Sequence, residues 1–212
     1  MKLFFRKILW KVLGIDFEHS LRIHDYVFLK KDMHSEIGYK TYDNGALVWR
    51  WTNAPIIIGK FCSIANNVRF IVDEGFHSAS SITNFPLVNN LYKEEQKKSN
   101  SILAKKILSN IEQKEGITIG NDVWIGMGSY IMPGIKVGNG VTIGANSVVT
   151  KDIPDYAIVA GCPAKLIKFK HSDMDIKKLN NIAWWNWEED IIKERIEYFY
   201  LSIDEFINKF SN

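Results

Sequence analysis

Cysteine is scarce: Cys62 and Cys162 are the only two among 212 residues. Two thiols cannot build the disulfide framework of a small secreted domain, and their presence unpaired fits a reducing compartment. Charge of one sign is lacking as well, since the formal net charge is only +3. Nothing in that balance calls for a nucleic-acid partner. No apolar run approaches the roughly 20 residues that span a bilayer. The expected location is therefore the cytoplasm. Histidine is also sparse, with His19, His24, His34, His77 and His171. A zinc centre of the γ-type carbonic anhydrase kind needs three histidine ligands between subunits of a repeat coil. Only His77 falls among the repeats, so no metal is expected.

What the chain has in abundance is a six-residue rhythm. Isoleucine or valine stands at Ile119, Ile125, Ile131, Val137, Ile143 and Val149, six apart without a slip. Two residues before each stand Ile117, Val123, Ser129, Ile135, Val141 and Ser147, all small or aliphatic. A helix of 3.6 residues per turn smears such positions around its axis. An unbroken strand alternates without punctuation, whereas here glycine follows four of the six at once (Gly120, Gly126, Gly138, Gly144). Short strands joined by tight corners explain the pattern, with the glycines permitting the turns. Three such units close a triangular coil, and coils stack about 4.8 Å apart through backbone hydrogen bonds.

The run from Ile117 to Asp152 makes two coils. Ile58-Gly59, Ile64 and Phe70 keep the same spacing and supply at least one more, and Ile37-Gly38 marks a candidate start for an earlier one. The composition, 46% hydrophobic, suffices for a real core. The domain plan is an N-terminal capping segment over residues 1–34, a coil over 35–167 and C-terminal helices over 168–212. The basic, aromatic stretch Leu3 to Leu13 fits a helix over the open end of the coil. Peripheral contact with a membrane surface is the rival use of the same residues. Between about residues 75 and 116 the period fails, and a polar, charged loop is extruded, with a short helix expected near Ile102 to Ile111. From Asp173 to Phe210 the apolar positions return at helical spacing, enough for two or three amphipathic helices. Trp184, Trp185 and Trp187 are expected to pack those helices on the coil.

Among the histidines, His77 alone sits where a rigid coil gives way to the loop, the place where a scaffold presents a side chain to a cleft. An imidazole titrates near pH 6.5 and can serve as a base at cytoplasmic pH. Gly59-Lys60-Phe61-Cys62-Ser63-Ile64, Phe76-His77, Phe85-Pro86-Leu87 and Ile119-Gly120-Asn121-Asp122-Val123-Trp124-Ile125-Gly126 follow one another in the chain. Ala145 to Pro154, Gly161-Cys162-Pro163-Ala164 and Trp184-Trp185-Asn186-Trp187 complete the series. Taken together, these runs resemble the hexapeptide-repeat acyltransferases of the xenobiotic acetyltransferase class. That class includes streptogramin and hexapeptide-type chloramphenicol acetyltransferases and relatives that O-acetylate bacterial surface sugars. The resemblance covers roughly residues 35 to 200.

The resemblance implies a left-handed parallel β-helix and acetyl-CoA as cosubstrate. It implies His77 as the catalytic base of a direct transfer, and a homotrimer with each active site between two subunits. It places Trp124, Met127, Ala145, Thr150, Lys151, Lys165 and Lys168 along the coenzyme groove, the lysines toward its phosphates. Many relatives carry arginine at the last two positions, so a bidentate fork is replaced here by a point charge. A covalent route through Cys62 is disfavoured, because Cys62 precedes the inward Ile64 by two and reads as a packed thiol. For the acceptor, Tyr42, Trp49, Trp51, Asp73 and Asn84 are candidates.

The antibiotic-modifying members carry an Asn-His pair, a Met-Asp-Gly stretch and a Tyr-Pro-Phe triplet. This chain reads Phe76-His77-Ser78-Ala79-Ser80 and Phe85-Pro86-Leu87 instead. O-acetylation of a sugar in surface polysaccharide synthesis is therefore the expected activity, with N-acetylation as its variant and antibiotic acetylation second. A non-catalytic scaffold is the remaining alternative, which protection by coenzyme A separates from an enzyme.

Overall fold

In the computed structural model, residues 8, 12, 26–74, 82–92, 102, 106, 107 and 114–211 are described. The six-residue rhythm becomes a stack of triangular coils. Side chains alternate along each short strand, so in Ile117–Ile119 both ends are buried and Thr118 is exposed. The six aliphatic positions from Ile119 to Val149 and the six residues two before them are at most 5% exposed. Each isoleucine so buried contributes about 2 kcal/mol. Ser129 and Ser147 share this interior because both hydroxyls donate to the Gly144 carbonyl, at 2.9 and 2.6 Å.

Three sheets form the sides, and equivalent residues stack one above another in parallel register. The first sheet aligns Ile37, Ile58, Ile119 and Val137, with Ile153 bridged to Val137. The second aligns Asp43, Ile64, Ile125, Ile143 and Val159. The third aligns Val48, Phe70, Ile131 and Val149. Four complete coils and part of a fifth are present among the described residues.

The corners correct one sequence expectation. The glycines directly after the aliphatic positions do not make the turns. Left-handed backbone falls three residues before each aliphatic residue instead, at Gly116, Asp122, Gly128, Gly134, Gly140 and Asn146. Asparagine and aspartate tolerate that region, which is why glycine is not needed at every corner. Gly120, Gly126, Gly138 and Gly144 serve a different need, the close approach of successive coils. A Cβ on Gly126 would stand 2.5 Å from the Ala145 nitrogen, and one on Gly120 would stand 2.7 Å from the Gly138 carbonyl carbon.

The earliest coil is complete, with strands Ser35–Ile37, Tyr42–Asp43 and Leu47–Trp49. Its rhythm breaks because Asp43 occupies an aliphatic position and the next inward residue, Val48, comes after five residues. The Asp43 carboxylate is buried but satisfied, accepting from the Gly45 and Ala46 amides at 2.9 and 3.0 Å. Before it, Tyr26–Phe28 pairs antiparallel with Leu47–Trp49, and the following turn buries Leu29 in the core. The expected N-terminal helix falls on residues outside those described, apart from Ile8 and Val12. None of the described helices is long and apolar enough to cross a membrane.

At the other end, Ala157–Ala160 continues the second sheet and Lys165–Phe169 turns back antiparallel to it. The boundary expected at residue 167 lies inside this last strand. Three helices follow: α1 (Asp173–Ile182), α2 (Glu189–Glu194) and α3 (Ile203–Phe210). They cover the corner between the first and second sheets. Trp184 meets Phe61 at 4.9 Å and Phe199 at 5.0 Å, while Trp187 meets Phe210 at 5.0 Å. Trp185 is buried, so the tryptophans do pack the helices on the coil.

Along that corner runs a ladder of side-chain amides. Asn121 Oδ1 accepts from the Lys60 amide, Asn139 Oδ1 from the Asn121 amide, and Asp155 Oδ1 from the Asn139 amide. Asn180 of α1 closes it, donating to Asp155 Oδ2 at 2.7 Å. Asn139→Ala leaves the Asn121 amide without its acceptor. The expected cost is about 2 kcal/mol of unfolding free energy, read by urea denaturation. Unchanged stability would deny the ladder its role.

Candidate active site

The loop leaves the coil at the corner between the third and first sheets. Its neck is closed by an antiparallel bridge between Asp73 and Glu115 and by the Gly116 amide donating to the Val72 carbonyl at 2.8 Å. Asp73 is only 2% exposed. Its Oδ2 accepts from the Trp51 and Thr52 amides and the Thr52 hydroxyl, at 2.8, 2.9 and 3.2 Å. This candidate for the acceptor thus ties the neck to the coil below. Trp51 is exposed beside it, its ring edge-to-face with Trp49 at 5.8 Å. Asn84 is exposed in the loop, three residues ahead of a short helix at Leu87–Leu91. Tyr42 lies elsewhere, outward on the second sheet. His77 falls outside the described residues.

The coenzyme candidates gather on other parts of the coil. Trp124 is 57% exposed on the outer face of the second sheet, two coils along from Tyr42 in the same stack. Met127 and Ala145 occupy the corner between the second and third sheets in successive coils, both exposed. The next level of that corner is the 161–164 turn, where the Val148 amide donates to the Gly161 carbonyl and the Ala164 amide to the Val148 carbonyl. This turn folds over the open end of the coil and leaves a cavity of about 330 Å³. Thr150, Lys151 and Lys165 line it above an apolar floor of Val149, Ile153 and Val159. Two ammonium groups over an apolar recess suit a ligand with a phosphate end and a slender apolar arm. Lys168 pairs with Ile158 farther along the hairpin and does not line the cavity. Six of the seven candidates thus follow the outer second sheet, its corner and the coil end; Lys168 does not.

Cys62 is fully buried, and its thiol donates to the Gly120 carbonyl at 3.1 Å. Burial pushes its pKa up, the reverse of what a nucleophile requires. Sequence reasoning passed over the amide ladder and a second cavity, beside Asp122. The signal for the ladder was present, since Asn121 and Asn139 stand 18 residues, one full coil, apart.

Residues 116–151 match the family model for the bacterial transferase hexapeptide, six repeats. The chain is 37% identical over 183 residues to a probable macrolide acetyltransferase of Lysinibacillus sphaericus, covering 84% of this chain and 96% of that one. It is 45% identical over 141 residues to a chloramphenicol acetyltransferase of Morganella morganii, covering 65% and 62% respectively. The chain thus spans less than two thirds of the chloramphenicol enzyme's length. Among solved structures, a maltose O-acetyltransferase of Clostridium difficile 630 superposes with a TM-score of 0.47 at 28% identity, over 66% of this chain and 61% of that one. The fold and repeats define a left-handed parallel β-helix of hexapeptides. The chain belongs to the hexapeptide-repeat acetyltransferases, in their xenobiotic acetyltransferase class.

Proposed function

We propose that this protein transfers acetyl from acetyl-CoA to a hydroxyl of a sugar in surface polysaccharide synthesis, at sites shared between the subunits of a homotrimer. The observation that carries the reading is the separation of Trp49 and Trp51 from Met127 and Ala145. The loop neck, with Trp49 and Trp51, stands at the corner between the third and first sheets. Met127 and Ala145 stand at the corner between the second and third. The remaining corner is covered by helices. Tyr42 shares the second sheet with Trp124, and Thr150 and Lys151 follow Val149 at the loop's own corner two coils along, but one chain does not bring Trp49 and Trp51 to Met127 and Ala145. A three-fold ring sets one corner of a subunit against a different corner of its neighbour.

In this reading Lys151 and Lys165 hold the phosphates of acetyl-CoA, and Trp124, Met127 and Ala145 line the path of its arm. His77 takes the proton from the acceptor hydroxyl, whose oxygen attacks the thioester carbonyl. The carbon–sulfur bond then breaks, and the imidazolium returns the proton to the departing thiolate. The exposed Trp51 and half-buried Trp49 offer ring surface to a sugar. Similarity to the probable macrolide acetyltransferase over 96% of its length favours a second reading, in which the acceptor hydroxyl belongs to an antibiotic.

The deciding experiment follows thiol release from acetyl-CoA with sugars, nucleotide sugars, macrolides and chloramphenicol as acceptors. Turnover with a sugar and none with the drugs is expected; the reverse selects the second reading, and no release with any acceptor rejects both. Light scattering must find three chains per particle. Lys151→Ala and Lys165→Ala are each expected to raise the KM for acetyl-CoA by about tenfold, the loss of a charge-assisted bond, while kcat stays within twofold. Unchanged KM values would remove the lysines from the site.

A further inference from the structure

A second cavity, of about 270 Å³, lies under the C-terminal helices, on the corner away from the loop and the proposed coenzyme groove. Its coil side is Asp122 and Tyr156, and its helix side includes Trp184, Tyr198, Phe199 and Phe206. The aromatic rings are fixed by one another: Phe199 meets Trp184 at 5.0 Å and Phe206 at 5.1 Å. Tyr156 meets His171, also in the lining, at 5.6 Å. Asp122 is an oddity there. It sits at a left-handed corner, with φ at 55°, and its carboxylate accepts no hydrogen bond from any described residue. Its neighbours along the corner, Asn121, Asn139 and Asp155, all spend their side-chain oxygens on the ladder. A carboxylate held apart from that ladder, in a cavity walled by aromatic rings, is the complement of a cation carried on an apolar body.

We propose that this cavity binds a small organic ammonium ion, its charge at Asp122 and its apolar part among Tyr156, Trp184, Phe199 and Phe206. The site is independent of acetyl transfer, for none of these residues lies in the proposed groove. Because the ligand touches both coil and helices, its binding fastens the helices down and raises the melting temperature.

The charged and titratable groups around the carboxylate set the pH behaviour. Burial pushes Asp122 up to about 6, and Lys170 acts against that rise. His171 is held below its ordinary value by burial and by Lys170, with Asp175 of α1 opposing. Burial, Asp122 and Asp155 push Tyr156 up, so it stays neutral. On α3, Glu205 is occupied by the Ser202 hydroxyl and amide, at 2.6 and 3.0 Å. An ammonium ligand needs the ionised Asp122. Its affinity is therefore full at pH 8 and falls about tenfold by pH 5, one unit below the carboxyl pKa. Protonation of His171 adds repulsion in the same direction.

The test uses benzylammonium as probe and benzyl alcohol as its neutral counterpart, by calorimetry and thermal shift on the full chain. Benzylammonium is expected to bind at pH 8 at least tenfold more tightly than benzyl alcohol. Asp122→Asn keeps a residue that accepts the left-handed corner, so it folds, which its melting curve verifies, and it is expected to abolish the preference. Lys170→Met removes the competing internal cation and is expected to tighten benzylammonium severalfold. The proposal is overturned if the two probes bind alike, if neither binds, or if Asp122→Asn leaves benzylammonium binding unchanged.

Discussion

Replacing His77 by alanine is expected to lower kcat by about 10²–10⁴-fold, the range a positioned general base supplies. The argument is one of placement and chemistry. Asp73 is the last residue of the outgoing chain locked to the coil, through three hydrogen bonds and the bridge to Glu115. His77 follows four residues later in the chain. A hydroxyl acceptor is a poor nucleophile until its proton is removed, and an imidazole is the side chain whose ordinary pKa suits that task near neutrality. The buried, hydrogen-bonded Cys62 offers no competing route. Coenzyme A should protect the variant against heat as well as it protects the parent, since the lysine cavity is untouched. Turnover within tenfold of the parent would remove His77 from the chemistry. A loss of both turnover and coenzyme protection would mark it as structural.

Gly126→Ala should damage stability severely, because the added methyl enters a corner where two coils meet. The added carbon would stand 2.5 Å from the Ala145 nitrogen and 2.8 Å from both the Ala145 Cα and the Gly144 carbonyl carbon, all backbone atoms. Backbone in a stacked coil cannot swing aside as a side-chain end can, so the coils must part locally. A cost of about 3 kcal/mol or more is expected, at the upper end for overpacking. Gly45→Ala is the instructive comparison. Its added carbon meets nothing within 4 Å, and its φ of 97° is the only obstacle. That variant should lose about 1–2 kcal/mol, the cost of forcing an L-residue into the left-handed region. Urea titration of both proteins reads the difference. Equal losses would mean that backbone conformation, and not the approach of the coils, demands glycine at both places.

The coil was legible in the chain because its physical cause is periodic. Side chains that point inward every six residues must be small or aliphatic, and Ile119 to Val149 record this without interruption. The first coil was only faintly legible because two local solutions replace the rule. Asp43 turns its buried carboxylate on its own corner, and the step to Val48 is one residue short. The role of the glycines is hidden in the sequence for a different reason. Spacing reveals that a residue must be small, but it does not say whether a tight turn or a neighbouring coil is the cause. The coenzyme candidates Thr150, Lys151 and Lys165 meet at one cavity, whereas Lys168 follows the hairpin away from it. Asp73 reads in the sequence as a polar site residue, and its three donors show that it also holds the neck. The lone carboxylate of Asp122 left no trace in the sequence, since its corner neighbours are equally polar and only their partners set it apart.

The closed neck has a further consequence for how such proteins diversify. Residues 74–114 enter and leave between Asp73 and Glu115, which are bridged to one another. The entropy of closing a loop of that length is about 3 kcal/mol, and doubling the length adds only about 0.6 kcal/mol. To the coil, then, the loop is a sealed parenthesis whose contents can be rewritten at almost constant stability. Its contents can drift, or be transplanted between relatives at residues 73 and 115, while the stacked interior stays as it is.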